Sequence, residues 1–269
     1  MTSSLDERSG DSVLFDVADR IGFVTFNRPS RLNAINLEMA RAFRALVERL
    51  PARDDARVVV LRGAGAAFMA GGDVELFRGD PAHATATISE LIDHFHAFTI
   101  GLQELPQPVI GSVHGAVAGG GLSLILGTDM TIASDTATFT PAYLRLGTTP
   151  DGGGTMFLPR LVGPKRAMEM FLVGGSYTAR EAERLGLINA VVPEGELERA
   201  TRELAERLLQ RSSQAVRQTK ALLKRSELAA LKEQLAAEKA SFLECIGSAD
   251  FREGVLAFLE KRPPRFGTI

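Results

Sequence analysis

Between residues 13 and 195, short apolar runs of strand length alternate with segments whose apolar residues recur at helical spacing, an α/β pattern. "VLFDVADRIGFVTFNRP" predicts two strands with a turn at Asp19-Arg20, closed by Asn27-Arg28-Pro29. "NLEMARAFRALVERLPA" predicts a helix capped by Asn36, with Met39, Phe43, Leu46 and Leu50 on one side. "ARVVVLRGAG" reads as a buried strand leaving into a glycine loop. "TISELIDHFHAFTIGLQEL" reads as a helix with Ile88, Leu91, Ile92, Phe95 and Leu102 turned inward. "PVIGSVHGAVAGGGLSLILGTDM" gives a strand, a glycine-rich crossing and an apolar helix, and "TIASDTATFT" is again strand-like.

The last third changes character. "YTAREAERLGLI" carries a capping box, Thr178 with Glu181, and Gly186 as a C-terminal stop. From Glu196 onward the residues favour helix almost throughout. "SADFREGVLAFLEKRPPRF" predicts a final helix with Asp250 and Glu253 in capping-box positions and Pro263-Pro264 behind it. The expected organisation is a mixed core over 1–196 and a helical segment over 197–269.

Several function classes are excluded early. A net charge of −2 gives no general attraction to nucleic acid or an anionic membrane. No run approaches the ~18 apolar residues that span a bilayer. "MTSSLDERSGD" has no apolar core of a secretory signal, so a cytoplasmic location is expected. The lone Cys245 forms no intramolecular disulfide and no cysteine-based zinc cage, and the four histidines show no metal spacing, so no metal is expected. "GAGAAF" lacks the third glycine of the dinucleotide fingerprint, and "GAVAGGGLS" lacks the Lys-Ser/Thr of a P-loop.

Two glycine stretches then need a reason: "AAFMAGGDVELF" (66–77) and "HGAVAGGGLSLIL" (114–126). Each ends at a helix start, where unpaired N–H groups and the positive dipole end concentrate. Two such N–H groups on one oxygen would form an oxyanion hole; taken alone, tight turns and close helix packing are the plainer account of the glycines.

Taken in order, "FNRPSRLNAIN", "FMAGGDV", "HGAVAGGGLSL" and "LGTTPDGGGTMFLPRLVG" resemble the enoyl-CoA hydratase/isomerase (crotonase) family, and "DFREGVLAFLEKRPPRF" looks like its C-terminal helix. The resemblance runs over residues 13 to 266. It implies a spiral of ββα units and a helical C-terminal trimerisation segment, in a homotrimer or a hexamer of two trimers. It also implies an acyl-CoA substrate, with coenzyme A part of that substrate and no separate cofactor. By the same resemblance the oxyanion donors are Gly72 and Gly120. CoA would lie along Arg31, Leu32, Ala34, Ala70, Asp73 and Val74. Arg31 either reaches a phosphate or is a solvated loop residue, and Asp73 either meets substrate or fixes its loop.

The hydratases of that family use two glutamates. Their matched positions here are Ser123 and Tyr143, whose hydroxyls are poor general bases near neutral pH. Ordinary hydration is therefore disfavoured. Asp151, eight residues beyond Tyr143, matches the catalytic aspartate of isomerase members, the phenylacetate-pathway group being the nearest. The reaction expected is double-bond migration in an enoyl- or dienoyl-CoA, with Asp151 moving the proton. By position alone Asp151 is also a candidate N-cap. Tyr143 is either a hydrogen-bond partner of substrate or Asp151, or an aromatic wall.

His96 matches the neighbourhood of the water-activating base in 4-chlorobenzoyl-CoA dehalogenase. That keeps open a dehalogenase or hydrolase reading with Asp151 as nucleophile; the plainer reading of His96 is a partly buried helix residue. A hydratase-like lyase is the other enzymatic alternative. An RNA-binding protein on this scaffold is a third class, disfavoured because the basic residues are interleaved with acids, as in "ELERATRELAERLLQR".

Overall fold

A computed structural model describes residues 11–77 and 81–267, the side chains of 81–84 excepted. The polar opening over 1–10 lies outside the described residues. Strands β1 (Val13–Ala18) and β2 (Ile21–Phe26) pair antiparallel, Val13 opposite Phe26. Asp19 and Arg20 both take positive φ, 52° and 65°, as a two-residue hairpin turn demands. Helix α1 (Leu37–Arg49) starts where Asn36 accepts the Met39 N–H at 2.9 Å. Next come β3 (Val58–Gly63) and α2 (Pro81–Glu104).

Two strand–crossing–strand units follow. The first is β4 (Val109–Val113), β5 (Ala116–Ala118) and α3 (Gly120–Leu126). The second is β6 (Met130–Ser134), β7 (Thr138–Thr140), a turn over Tyr143–Leu146 and α4 (Gly154–Val162). "TIASDTATFT" is thus two strands rather than one. Then follow α5 (Pro164–Met168), β8 (Tyr177–Thr178), α6 (Ala179–Leu185) and β9 (Ala190–Val192). Last are α7 (Leu197–Leu209), α8 (Ser213–Lys224), α9 (Leu228–Ile246) and α10 (Ala249–Leu259). The strands end at Val192, so the change of element type falls where the composition shifts.

One sheet runs β1-β2-β3-β4-β6-β9 and a smaller one β5-β7-β8. The chain therefore spirals, laying each first strand in the large sheet and each second strand in the small one. From β2 to β9 the large sheet is parallel, and its residues alternate strictly between two covered faces. Val24, Phe26, Val59, Leu61, Val109 and Val113 join the main core with α1 and α2. Ile21, Phe23, Val58, Val60 and Ile110 meet Ala205 of α7 on the other face. Phe43 of α1 stacks on Phe98 of α2, with ring centres 4.5 Å apart.

The C-terminal helices are not an appendage. Helix α9 packs along α2 and α4. Lys220 of α8 buries its ammonium against Asp129 at 2.7 Å and the Gln107 carbonyl at 2.8 Å. The capping box of α6 is present as expected, with Gly186 left-handed behind it. The start of α10 corrects the expectation. Ser248, not Asp250, caps it by accepting the Phe251 N–H at 3.0 Å. Glu253 instead pairs with Arg262, because the chain turns at Lys261, which takes positive φ, 54°, just past the end of α10 and brings that guanidinium beside it. Among the described residues no helix is long and apolar enough to cross a membrane.

The loop after β2 hangs on one amide. Asn33 is fully buried in a left-handed conformation; its Nδ2 donates to Ala64 O (2.9 Å), Ala67 O (2.7 Å) and Phe68 O (3.2 Å), and its Oδ1 accepts the Arg28 N–H at 2.8 Å. Removing it orphans buried carbonyls. Asn33→Ala is expected to cost about 2–4 kcal/mol in urea unfolding, against about 0.5 kcal/mol or less for the exposed Arg31→Ala.

Candidate active site

The segment fixed by Asn33 lies beside the first glycine stretch. Ile35 N–H donates to Gly71 O at 2.7 Å, and Asp73 N–H donates to Ile35 O at 2.9 Å. In that parallel bridge Ile35 bonds both flanks of Gly72, which leaves the Gly72 N–H outside the ladder. The second stretch is tied to the first: Met69 N–H donates to Ala116 O at 3.1 Å, and Ala118 N–H to Met69 O at 3.0 Å. Past that bridge the two backbones nearly touch. A Cβ on Gly71 would stand 3.1 Å from Ala118 O, and one on Gly119 would stand 3.6 Å from the Gly71 Cα. Gly120 follows as the first residue of α3, so its N–H has no acceptor within the helix.

Gly72 and Gly120 both line one cavity of about 430 Å³. The same cavity is lined by Arg31, Leu32, Ala34, Ala70, Asp73, Val74, Tyr143 and Asp151. Ile88, Leu91, Ile92 and Phe95 of α2, with Phe242 of α9 and Phe258 of α10, make the apolar part of its wall. Arg31 is exposed at its edge. Asp73 is occupied within the protein: Oδ2 takes Arg28 Nη2 at 2.9 Å and Oδ1 accepts the Glu75 N–H at 3.3 Å. Of the two readings given above for Asp73, these bonds are those of loop fixation.

Asp151 is the buried carboxyl group of this cavity among the described residues. Its Oδ1 accepts the Tyr143 hydroxyl at 2.7 Å, and the Ser123 hydroxyl lies 2.8 Å from the Tyr143 oxygen. Burial pushes Asp151 up to about 7; the Tyr143 bond opposes this and the negative charge of Glu238 reinforces it. Burial likewise holds Tyr143 well above its ordinary value, so it stays a phenol and a donor.

The side chain of Asp151 does not cap α4. Gly153 occupies the cap position in a left-handed conformation, and only the Asp151 backbone carbonyl meets the helix, accepting Gly154 N–H at 3.1 Å. The capping is done from outside: Glu238 of α9 accepts the N–H groups of Gly153 (2.8 Å) and Thr155 (3.0 Å), together with the Thr155 hydroxyl. His96 is not on the cavity wall. Its Nε2 accepts the Gly152 N–H at 3.3 Å, and burial lowers it to about 4, so the ring is neutral near pH 7. The nitrogen that a water-activating base would need is thus spent on the loop.

Glu238, Asn33 and Arg28 escaped the sequence reading. Glu238 had a signal: it falls on the apolar stripe Leu231, Leu235, Phe242 and Ile246 of α9, all buried. A charge on such a stripe requires a buried partner.

The model of the family described as enoyl-CoA hydratase/isomerase matches residues 16–268. A probable enoyl-CoA hydratase of Rhodobacter capsulatus is 38% identical over 95% of this chain and 97% of its own length. The 1,2-epoxyphenylacetyl-CoA isomerase of Escherichia coli is 36% identical over 94% of this chain and 97% of its own. The crystal structure of an enoyl-CoA hydratase from Mycobacterium avium subsp. paratuberculosis superposes with a TM-score of 0.86 at 30% identity, over 95% of this chain and 98% of that one.

A carboxyl group whose folded value, about 7, exceeds its unfolded value binds more protons folded than unfolded, so its contribution is lost as pH rises from about 4 to 7. Asp151→Asn is therefore expected to gain stability relative to the parent over that window. The gain rises by up to about 1.4 kcal/mol per pH unit, totals about 2–4 kcal/mol, and is flat above pH 8. Paired urea titrations from pH 4 to 8.5 measure it. A pH-independent difference would show that Asp151 is not a buried titrating group.

Proposed function

Since the chain belongs to the enoyl-CoA hydratase/isomerase family and has its crotonase fold, we propose that it is an acyl-CoA isomerase that moves a carbon–carbon double bond near the thioester. The observation that carries this reading is a single buried carboxyl, Asp151, held by Tyr143 in the cavity where the hydratase pattern calls for two glutamates. Ser123 is bonded to Tyr143, and Tyr143 in turn to Asp151, so neither hydroxyl is set to hold and activate a water.

In this reading the thioester oxygen accepts the N–H groups of Gly72 and Gly120, which stabilise the dienolate as negative charge develops there. Asp151, as a carboxylate, takes a proton from one carbon of the acyl chain and returns it to another. The Tyr143 hydroxyl aims the carboxylate and keeps its second oxygen free for this work. CoA lies over Arg31, Leu32, Ala34, Ala70 and Val74, with Arg31 toward a phosphate. The protein works as a trimer or a pair of trimers. The exposed Met168, Leu172 and Val173 support such an assembly, since an apolar strip of this kind is covered in a stable oligomer.

The second reading, with Asp151 as a nucleophile and His96 as its base, is weakened by the His96–Gly152 bond. Hydration is the third, and the names of the relatives keep it under test.

With 3-hexenoyl-CoA in D₂O, the expected product has the substrate's mass plus at most one exchanged deuterium, with the absorbance of a conjugated thioester appearing in step. Addition of a water would mean a hydratase, and a covalent adduct on Asp151 would mean nucleophilic catalysis. Asp151→Asn is expected to lower kcat about 10²–10⁴-fold with KM changed only a few-fold. In the parent, kcat/KM is expected to climb with pH and level off above about 7, because the free enzyme must present a carboxylate. Full activity in Asp151→Asn would overturn the proposal.

A further inference from the structure

The three residues after Asp151 and the start of α4 could have been held by their own backbone. They are held instead by two long-range side chains. Gly152 takes φ +64°, and a Cβ there would stand 2.5 Å from the Phe95 ring. This tight, left-handed Gly152-Gly153 turn has its N–H groups directed away from the cavity. One of them meets His96 of α2; the next, and that of Thr155, meet Glu238 of α9. Gln234, one turn earlier on α9, donates to the Thr155 hydroxyl oxygen at 2.7 Å. Glu238 is itself buried, 3% exposed, and does not line the cavity.

We propose that Glu238 is a positioning residue for the proton-transfer group: it fixes the 152–155 turn that carries Asp151 and confronts that carboxyl group with a second negative charge. The inference rests on the reading of Asp151 as the acid/base. A glutamine at 238 could accept the same N–H groups through one oxygen, so helix capping alone does not require the charge.

The charge has a chemical use. A base must hold a proton firmly enough to take it from carbon and loosely enough to give it back, which places its best working value near the ambient pH. Burial and the nearby Glu238 carboxylate raise the proton affinity of Asp151, while the Tyr143 phenol lowers it. Burial raises Glu238 too, and the bonds from Thr155 and Gly153 hold it toward the carboxylate form. The other titratable groups around this turn are His96, neutral over the working range, and the Asp93–Lys239 pair, 2.6 Å apart, whose opposite charges act on His96 in opposite directions.

The test is a titration of ¹³C-carboxyl-labelled aspartate by NMR, with the Asp151 signal assigned by its loss in Asp151→Asn. The expected result for Glu238→Gln is an Asp151 midpoint lower by about one pH unit, a tenfold loss of proton affinity. The rising limb of kcat/KM for 3-hexenoyl-CoA should move down equally, and KM should stay within about twofold. Glu238→Asp keeps the charge but shortens the reach. It is expected to hold the parent midpoint while amide exchange at 152–155 quickens. An unmoved midpoint in Glu238→Gln, or equal midpoints lowered in both variants, would overturn the proposal. If the parent turns over no enoyl-CoA, the isomerase reading fails, yet the NMR midpoints still decide the role of Glu238. If Glu238→Gln does not fold, Thr155→Val decides it instead: loss of one donor moves Glu238 toward its neutral form, so the Asp151 midpoint is expected to fall, and a raised or unmoved midpoint in Thr155→Val would overturn the proposal.

Discussion

The contact on which this molecule depends is the approach of two stretches of bare backbone at Gly71 and Gly119. A methyl group on Gly71 would press on Ala118 O at 3.1 Å, and one on Gly119 would already be in contact with the Gly71 Cα. Both strand-like segments leading into it are bonded across Met69, Ala116 and Ala118, so the approach is enforced by hydrogen bonds and not left to packing. What results is a pair of adjacent residues, Gly72 and Gly120, that line a cavity with N–H groups outside the surrounding ladders. The large parallel sheet, covered on both faces, supplies the rigidity that such an approach requires. Catalysis by preorganised dipoles works only if the dipoles need not rearrange when charge appears.

Against that fixed pair of donors stands a carboxyl group whose situation is costly. Asp151 is buried among apolar side chains, and its one strong stabilising bond comes from Tyr143. Among the described residues no cation is paired with it; Arg28 pairs with Asp73, and Lys220 with Asp129. The second charge near it, Glu238, has the same sign. Stability is given up at the place where proton affinity is raised, the usual relation between buried ionisable groups and reactivity.

Much of the fold was legible in the letters. The Asp19-Arg20 turn, the Asn36 cap and the Thr178–Glu181 box are local devices whose partners lie within a few residues, so composition and spacing reveal them. The two-sheet spiral was not readable from periodicity, because β6 and β7 are separated only by a three-residue turn and look like one run. Ten of the expected site residues line one cavity, since motif order in the chain carries them together. His96 departs from that set because a helix position predicts a face only to within part of a turn, and a small rotation separates the cavity wall from the Gly152 N–H. The cap of α10 was misread by two residues, as Ser248 and Asp250 both offer a cap and only the packing of the tail decides between them. Asn33 and Glu238 act over 31 to 85 positions, beyond the reach of any local rule.

The bonds from α9 to the start of α4 also bear on the order in which the site comes into being. During synthesis the strands, both glycine stretches and Asp151 itself emerge while residues 228–246 are still to be made. A growing chain of that length can hold Gly72 and Gly120 in place, but the turn bearing Asp151 lacks the partner that restrains Gly153 and Thr155. Full geometry arrives only when α9, in the last sixth of the polypeptide, has docked along α2. The final helices therefore act as the clasp that turns a folded sheet into a finished site.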